Sequence, residues 1–324
     1  MNTLPDLLNK VKLLFQQENF LFKPQHLYAP IDYTLSLGGK RIRPVMLMAA
    51  HEMFGGTADD VSHAALGIET FHNFTLLHDD LMDKSPIRRG QPTVYRKWSE
   101  NTAILSGDTM FALAWRYFLR LPHPRLQEIL NTFNETAIQV CEGQQYDMDF
   151  ETRDDVAMDE YMHMIRLKTA VLLAGALKIG ALYANAPDDD ISHLYAYGIH
   201  LGLAFQLQDD LLDAFGDTGV FGKETGSDIR DNKKTFLYLK ALQTGDATQQ
   251  ATLKEAFSQT PDDPSEKIRQ VLSIYSKLNI KQTTEDIIQQ EFDQARQELE
   301  AIQVDDSRKQ PLQELSSTLL GRKQ

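Results

Sequence analysis

Two short acidic runs share one spacing: Asp79-Asp80-Leu81-Met82-Asp83 and Asp209-Asp210-Leu211-Leu212-Asp213. On a helix, positions i and i+4 lie on one face, so Asp79 with Asp83, and Asp209 with Asp213, each aim two carboxylates the same way. A single run of this kind reads as a solvated acidic helix end. Two of them, each following an apolar stretch (Phe71 to Leu77 and Leu201 to Leu207), read differently. Carboxylates set against a core need a cation to be tolerable. Oxygen-only ligands favour Mg²⁺, which is typically shared between one or two carboxylates and the phosphates of a substrate. Asp79, Asp80, Asp83, Asp209, Asp210 and Asp213 are therefore candidate metal ligands, and a diphosphate is the natural second partner.

A diphosphate also requires basic groups. Gly38-Gly39-Lys40-Arg41-Ile42-Arg43-Pro44 sets three cations beside two glycines just before a helix start, where free backbone amides also favour anions. Arg88-Arg89-Gly90 follows the first acidic run, Lys168-Thr169 lies in a helical stretch, and Lys223 and Lys233 follow the second acidic run. These clusters stand out against an acidic chain: 33 Lys+Arg against 46 Asp+Glu give a net charge of −13. That surplus argues against nucleic acid or an anionic membrane as a general partner.

One cysteine, Cys141, excludes an internal disulfide and a Cys-rich metal site, and fits a reducing cytoplasm. Asp6, Lys10 and Lys12 interrupt the apolar pattern of the first twenty residues, which opposes a signal peptide. The longest apolar stretch, Ala170 to Ala186, contains Lys178 and falls short of the roughly 20 residues needed for a span.

The periodicity that must position these groups is helical almost throughout, and the expected fold is all-α. Leu4, Leu7, Leu8, Val11, Leu14 and Phe15 recur at three- and four-residue spacing, as one buried face requires. A second helix is expected to start near Pro44, and a third after Thr57, capped by its hydroxyl and running to about Asp83. Further helices read over Thr102–Arg120, Arg125–Asp149, Asp159–Ala184 and Asp188–Phe215. Gly216–Lys234 reads as a loop, and polar composition from Thr244 to Lys267 reads as solvent-facing helices. No linker interrupts the chain, so residues 1–324 are expected to form a single domain.

With these motifs in this order, the chain resembles the trans-type isoprenyl diphosphate synthases, or polyprenyl synthetases, over about residues 35–235. The residues that carry the resemblance are GGKRIRP at 38–44, HDDLMD at 78–83, RRG at 88–90, KT at 168–169, FQLQDDLLD at 205–213 and GK at 222–223. It implies a helical bundle around a central apolar cavity, a homodimer, a cytoplasmic enzyme, and Mg²⁺ (Mn²⁺ replacing it) bridging both acidic runs to an allylic diphosphate. By the same resemblance, Asp79, Asp83 and Asp209 are direct metal ligands, and Asp80, Asp210 and Asp213 weaker or water-mediated ones. Lys40, Arg43, His72 and Arg89 are assigned to isopentenyl diphosphate. Arg88, Lys168, Thr169, Gln206, Lys223 and Lys233 are assigned to the allylic diphosphate (dimethylallyl, geranyl or farnesyl), with the adjoining Lys234 an alternative to Lys233.

The reaction so implied is head-to-tail 1′-4 condensation, with the released diphosphate as the base. Gly216–Lys234 is the candidate lid. Phe71, Phe74 and Thr75 precede Asp79 by eight, five and four residues, where a growing chain would pass. An aromatic five positions before the motif with a smaller residue at four resembles geranylgeranyl (C20) synthases; aromatics at both resemble farnesyl (C15) enzymes. The competing readings are a class I terpene cyclase, opposed by the second DDxxD, and a non-catalytic regulatory subunit, opposed by the intact motifs.

Overall fold

The computed structural model of the chain describes residues 1–216 and 225–321. The all-α expectation is met: sixteen α-helices account for nearly all regular structure among the described residues. They are α1 (Leu4–Gln17), α2 (Gln25–Ser36), α3 (Ile42–Met53), α4 (Ser62–Met82), α5 (Val94–Lys97), α6 (Glu100–Leu119), α7 (Leu126–Thr152) and α8 (Met158–Ile165). There follow α9 (Val171–Tyr183), α10 (Asp188–Phe215), α11 (Ser227–Arg230), α12 (Phe236–Thr244), α13 (Ala247–Phe257), α14 (Ser265–Lys277), α15 (Ile280–Ala301) and α16 (Asp306–Leu320). A 3₁₀ turn (Ala58–Val61) leads into α4, and a π-helical segment (Arg166–Ala170) joins α8 to α9. Two two-residue strands, β1 (Ile87–Arg88) and β2 (Gln91–Pro92), pair antiparallel.

Most boundaries follow the sequence signals. Ahead of the 3₁₀ turn, the expected cap by the Thr57 hydroxyl is not formed; the Thr57 N–H instead donates to the Asp60 carboxylate at 2.9 Å. Three further expectations need correcting. Asp159–Ala184, read as one helix, breaks into α8, the π-helical segment and α9. Leu8, assigned to the buried face of α1, is 37% exposed; Leu4, Leu7 and Val11 are buried, and Leu14 and Phe15, partly buried, pack against the core. Gly216–Lys234, read as loop, contains α11; residues 217–224 of it lie outside the described residues.

The chain falls into two compact units. The first comprises Met1–Asn134, Gly175–Leu194 and Gln303–Glu314. Its centre is α4, packed on α3 and α6. Gly67 lets α4 approach α6: a Cβ there would lie 3.0 Å from the Phe118 ring and 3.1 Å from the Ala114 carbonyl. Arg41 sets the start of α3. Its backbone is left-handed (φ 49°), its guanidinium donates to Glu69 Oε1 at 2.8 Å and to the Leu35 carbonyl, and it lies 4.4 Å over the Phe15 ring.

The second unit comprises Glu135–Ala174, Tyr195–Ile302 and Leu315–Gln324. Here two glycines one turn apart on α10, Gly198 and Gly202, lie against Ala174 and Ala170. A Cβ on Gly202 would sit 2.4 Å from the Ala170 Cα, so backbone meets backbone, and Gln206, one turn further on, is aimed at Thr169. Lys234 is only 8% exposed, and its ammonium donates to the Phe150 and Glu151 carbonyls at 3.0 and 3.1 Å, capping the C-terminal turn of α7.

Two effects oppose each other at Gly202. Alanine is the better helix former by about 1 kcal/mol, but overpacking a backbone crossing costs about 1–3 kcal/mol. We expect Gly202→Ala to be net destabilising, lowering the midpoint of thermal unfolding followed by circular dichroism. A raised midpoint would show that the crossing has slack.

Candidate active site

The first acidic run ends α4. Asp80 is buried, and its Oδ2 accepts from Arg88 Nε at 2.7 Å; Arg88 Nη2 also lies 3.7 Å from Asp79. Asp83, at the C-cap, is exposed, and Asp79 is half-buried. Burial raises the Asp80 carboxyl above its ordinary value, against the hydrogen bond from Arg88.

Arg88 and Arg89 owe their directions to the hairpin. Arg89 and Gly90 form its two-residue turn with φ of 52° and 74°, both positive as a type I′ turn requires. Arg88 on β1 reaches back to the acidic run. Arg89 in the turn donates to the Gly38 carbonyl, and a Cβ on Gly39 would lie 2.6 Å from its guanidinium. Adjacent arginines are thus sent to different partners, and the glycine pair before Lys40 is what admits the second of them.

Arg43 and His72 complete this basic group. Arg43 Nη1 donates to His72 Nε2 at 3.1 Å; arginine has no acceptor, so that ring nitrogen is unprotonated. Burial drives the His72 pKa well below its usual range, with Arg43, Arg89, Arg88 and Arg41 adding to the effect. Burial also pushes Arg43 down to about 10, against the pull of the Glu69 carboxylate. Lys40 is exposed beside Gly39.

On the same helix, Phe74 stacks on Phe111 (ring centroids 5.4 Å apart, 18° between planes) and tilts against the fully buried Phe71 at 5.5 Å. Phe133 meets Phe71 edge-on at 5.3 Å. Thr75 is half-buried and donates to the His72 carbonyl at 2.8 Å.

The second acidic run lies in the last two turns of α10. Asp210 is buried: Tyr161 donates its hydroxyl to Oδ2, and Gln206 Nε2 donates to Oδ1 at 3.0 Å. Burial pushes this carboxyl up to about 7 despite those bonds. Gln206 Oε1 in turn accepts from Thr169 at 2.9 Å. Thr169 and Lys168 sit in the π-helical segment, a distortion often found at functional sites. Gly143 of α7 lies against that segment, since a Cβ there would be 2.3 Å from the Lys168 nitrogen. Lys168 Nζ pairs with Asp147 at 2.5 Å.

Asp209 is exposed, while Asp213 accepts from the Ser227 hydroxyl and, at 3.0 Å, from the Asp228 N–H. Of the two lysines left as alternatives, Lys234 is committed to α7, and Lys233 is half-buried, its charge acting on Asp228. Lys223 lies outside the described residues. Sequence reasoning missed Asp228, whose carboxyl is raised well above its usual range by burial and by Asp213 and Asp210. It also missed Tyr161, whose OH is revealed only by the fold.

The motif for the polyprenyl synthetases matches residues 24–275. The chain belongs to the polyprenyl synthetase family. It is 42% identical over 225 residues to a geranylgeranyl diphosphate synthase of Methanosarcina mazei, covering 69% of each chain. It is 41% identical over 241 residues to a geranylfarnesyl diphosphate synthase of Natronomonas pharaonis, covering 69% of this chain and 71% of that one. A solved geranylgeranyl pyrophosphate synthase structure superposes over 100% of both chains with a TM-score of 0.95 at 43% identity.

The donor set of this polyprenyl synthetase suits a hard cation. In each run the second aspartate is buried and held by the chain's own groups, and Asp80 Oδ1 is a buried oxygen with no hydrogen-bond donor. The other aspartates of the two runs, Asp79, Asp83, Asp209 and Asp213, offer oxygen only, the chemistry that Mg²⁺ takes.

The depressed His72 pKa has a signed consequence. Above about pH 6.5 the ring is neutral folded or unfolded; below it only the unfolded chain takes up the proton, so stability falls with pH. We expect His72→Asn to lose less melting temperature than wild type between pH 7.5 and pH 5.5. Equal losses would show that the ring is protonated in the folded protein.

Proposed function

We propose that the chain is a prenyltransferase that condenses isopentenyl diphosphate with an allylic diphosphate, 1′-4 and trans, to geranylgeranyl diphosphate. The observation that carries this reading is the division within each acidic run. Asp80 and Asp210 are buried and bonded to Arg88, or to Tyr161 and Gln206, whereas Asp83 and Asp209 are exposed. Asp79, Asp83 and Asp209 are thereby the natural direct ligands of Mg²⁺, with Mn²⁺ able to replace it; Asp80, Asp210 and Asp213 orient them. In this reading residues 1–324 act as one functional domain.

Mg²⁺ held by Asp79, Asp83 and Asp209 would supply positive charge to stabilise a departing diphosphate. Arg88, Lys168 and Lys233, with Lys223, hold the same group, and Thr169 and Gln206 orient Asp210. Lys40, Arg43 and Arg89 hold isopentenyl diphosphate. His72, kept neutral, serves there as a hydrogen-bonding group; a nitrogen so weakly basic is a poor proton acceptor, which supports the released diphosphate as the base. The aromatic side chains around Phe71 and Phe74 exclude water from the allylic cation.

A homodimer fits the outward apolar face of α6, where Ile104, Leu105 and Leu119 are 46%, 59% and 58% exposed. A cytoplasmic setting fits the single cysteine and the lack, among the described residues, of any helix long and apolar enough to cross a membrane.

The test is incubation with Mg²⁺, isopentenyl diphosphate and each allylic starter (dimethylallyl, geranyl and farnesyl diphosphate), followed by chromatography of dephosphorylated products. Asp79→Ala and Asp209→Ala are each expected to lose at least a hundredfold in kcat, as removal of several kcal/mol of transition-state stabilisation implies. Turnover within tenfold of wild type in either variant would refute the metal assignment.

Product length is expected to depend on Phe74, which stands roughly 7–8 Å along the helix from Asp79 at ~1.5 Å per residue. Its stack on Phe111 beside the small Thr75 supports C20 over the C15 alternative. Phe74→Ala is expected to lengthen the product by one or more C5 units and Thr75→Phe to shorten it. An unchanged distribution in both would place the floor elsewhere.

A further inference from the structure

Lys267 lies in a polar stretch of sequence yet is 7% exposed. From the first turn of α14 its ammonium donates to the Arg230 carbonyl at 3.2 Å, the Gln259 carbonyl at 3.0 Å and the Asn232 side-chain oxygen. All three of its donors are thereby used. A solvent-facing lysine would remain hydrated; this one is desolvated, its pKa lowered by burial against the pull of Asp231. Two of its three acceptors belong to the chain leaving α11.

The other end of α11 is tied as firmly. The Gly226 N–H donates to the Asp213 carbonyl at 2.7 Å, and Ser227 and the Asp228 N–H donate to the Asp213 carboxylate. Gly226 (φ 84°) also lies close against α14: a Cβ would meet Ile268 Cγ2 at 2.8 Å. Asn232 turns the chain with φ 60°, and the Lys233 N–H returns to the Asp228 carbonyl at 2.9 Å. The short helix is thus a strut, held by Asp213 at one end and by Lys267 at the other.

We propose that Lys267 is a positioning residue: through α11 it fixes Asp213 and Lys233, and so sets the affinity for the allylic diphosphate. This deepens the function proposed above and rests on it for the identity of the ligand. The clamp itself does not depend on that identity. Without the ammonium, the Arg230 carbonyl loses its buried side-chain donor, and this end of α11 is left with the longer bonds from Asn232 Nδ2 to the Gln259 carbonyl at 3.3 Å and to Thr260 at 3.4 Å.

The experiment uses the full chain, with Lys267→Met, the conservative Lys267→Arg and the milder Asn232→Ala. In the metal-free protein, hydrogen exchange of the amides from Gly226 to Lys234 is expected to quicken at least tenfold in Lys267→Met, while the amides of α4 stay within twofold of wild type. Asn232→Ala should show the same pattern more weakly and serves if Lys267→Met does not fold. In steady-state assays with Mg²⁺, KM for the allylic diphosphate should rise at least tenfold and KM for isopentenyl diphosphate stay within twofold, with Lys267→Arg recovering part of the loss. Unchanged exchange over Gly226–Lys234 would overturn the clamp. Equal rises in both KM values, tracking a fall in melting temperature, would overturn the positioning role in favour of general stability. Should wild type turn over neither substrate, the functional reading fails while the exchange result still decides the clamp.

Discussion

A helix C-terminus is the negative end of the helix dipole, and α4 and α10 each carry three aspartates there. Mutual repulsion, the dipole and the adjoining apolar core all disfavour these carboxylates in their ionised form. The fold answers the same way twice. The second aspartate of each run is drawn inward and given hydrogen bonds from the chain, by Arg88 to Asp80 and by Tyr161 and Gln206 to Asp210. What is left outward is one carboxylate or a pair, which a cation can stabilise. Much of the surrounding structure serves that arrangement. The hairpin exists to deliver Arg88, the α10 glycines bring Gln206 to Thr169, and α11 braces Asp213.

The sequence made the spacing legible, and with it the chemistry. Helix boundaries were readable wherever the apolar periodicity was sustained: Asp188–Phe215 emerged as read, and the helix expected after Thr57 is there, though a 3₁₀ turn precedes α4. α2 escaped notice because Pro30 lies inside it and its apolar stripe is short. The break of Asp159–Ala184 into α8, a π-helical segment and α9 was also invisible, because the stretch from Ala170 to Tyr183 is apolar on nearly every face, so a shift in helical phase leaves no mark on the pattern. It matters nonetheless, since Lys168 and Thr169 take their direction from that distortion.

Charged residues were the least legible class. Arg41, Arg43, Lys233, Lys234 and Lys267 look alike in a sequence, and their roles differ through what each is buried against. Arg41 is paired with the buried Glu69, and Arg43 with a neutral histidine. Lys234 holds two helix-terminal carbonyls, whereas its neighbour Lys233 acts on Asp228. No spacing rule separates these cases, because most of the partners lie far away in sequence. Asp228 was missed for the same reason: alone after a glycine and a serine, it gains meaning only beside Asp213.

A chain of net charge −13 must still attract diphosphates. At physiological salt, charges beyond about 8 Å are largely screened, so what matters is the set of cations close to the ligand. The backbone concentrates them. Arg41 and Arg89 both adopt left-handed φ, at 49° and 52°, a conformation disfavoured for any residue with a side chain. Such outliers persist where the surroundings over-determine them, at about 1–3 kcal/mol each. Here Glu69 and the Leu35 carbonyl fix Arg41, and the Gly38 carbonyl fixes Arg89. The strain keeps arginines together that would otherwise repel one another and spread into solvent. Burial, reinforced by their combined charge, is in turn what holds His72 neutral. The basic group is therefore assembled before any anion arrives, by backbone geometry and one buried carboxylate.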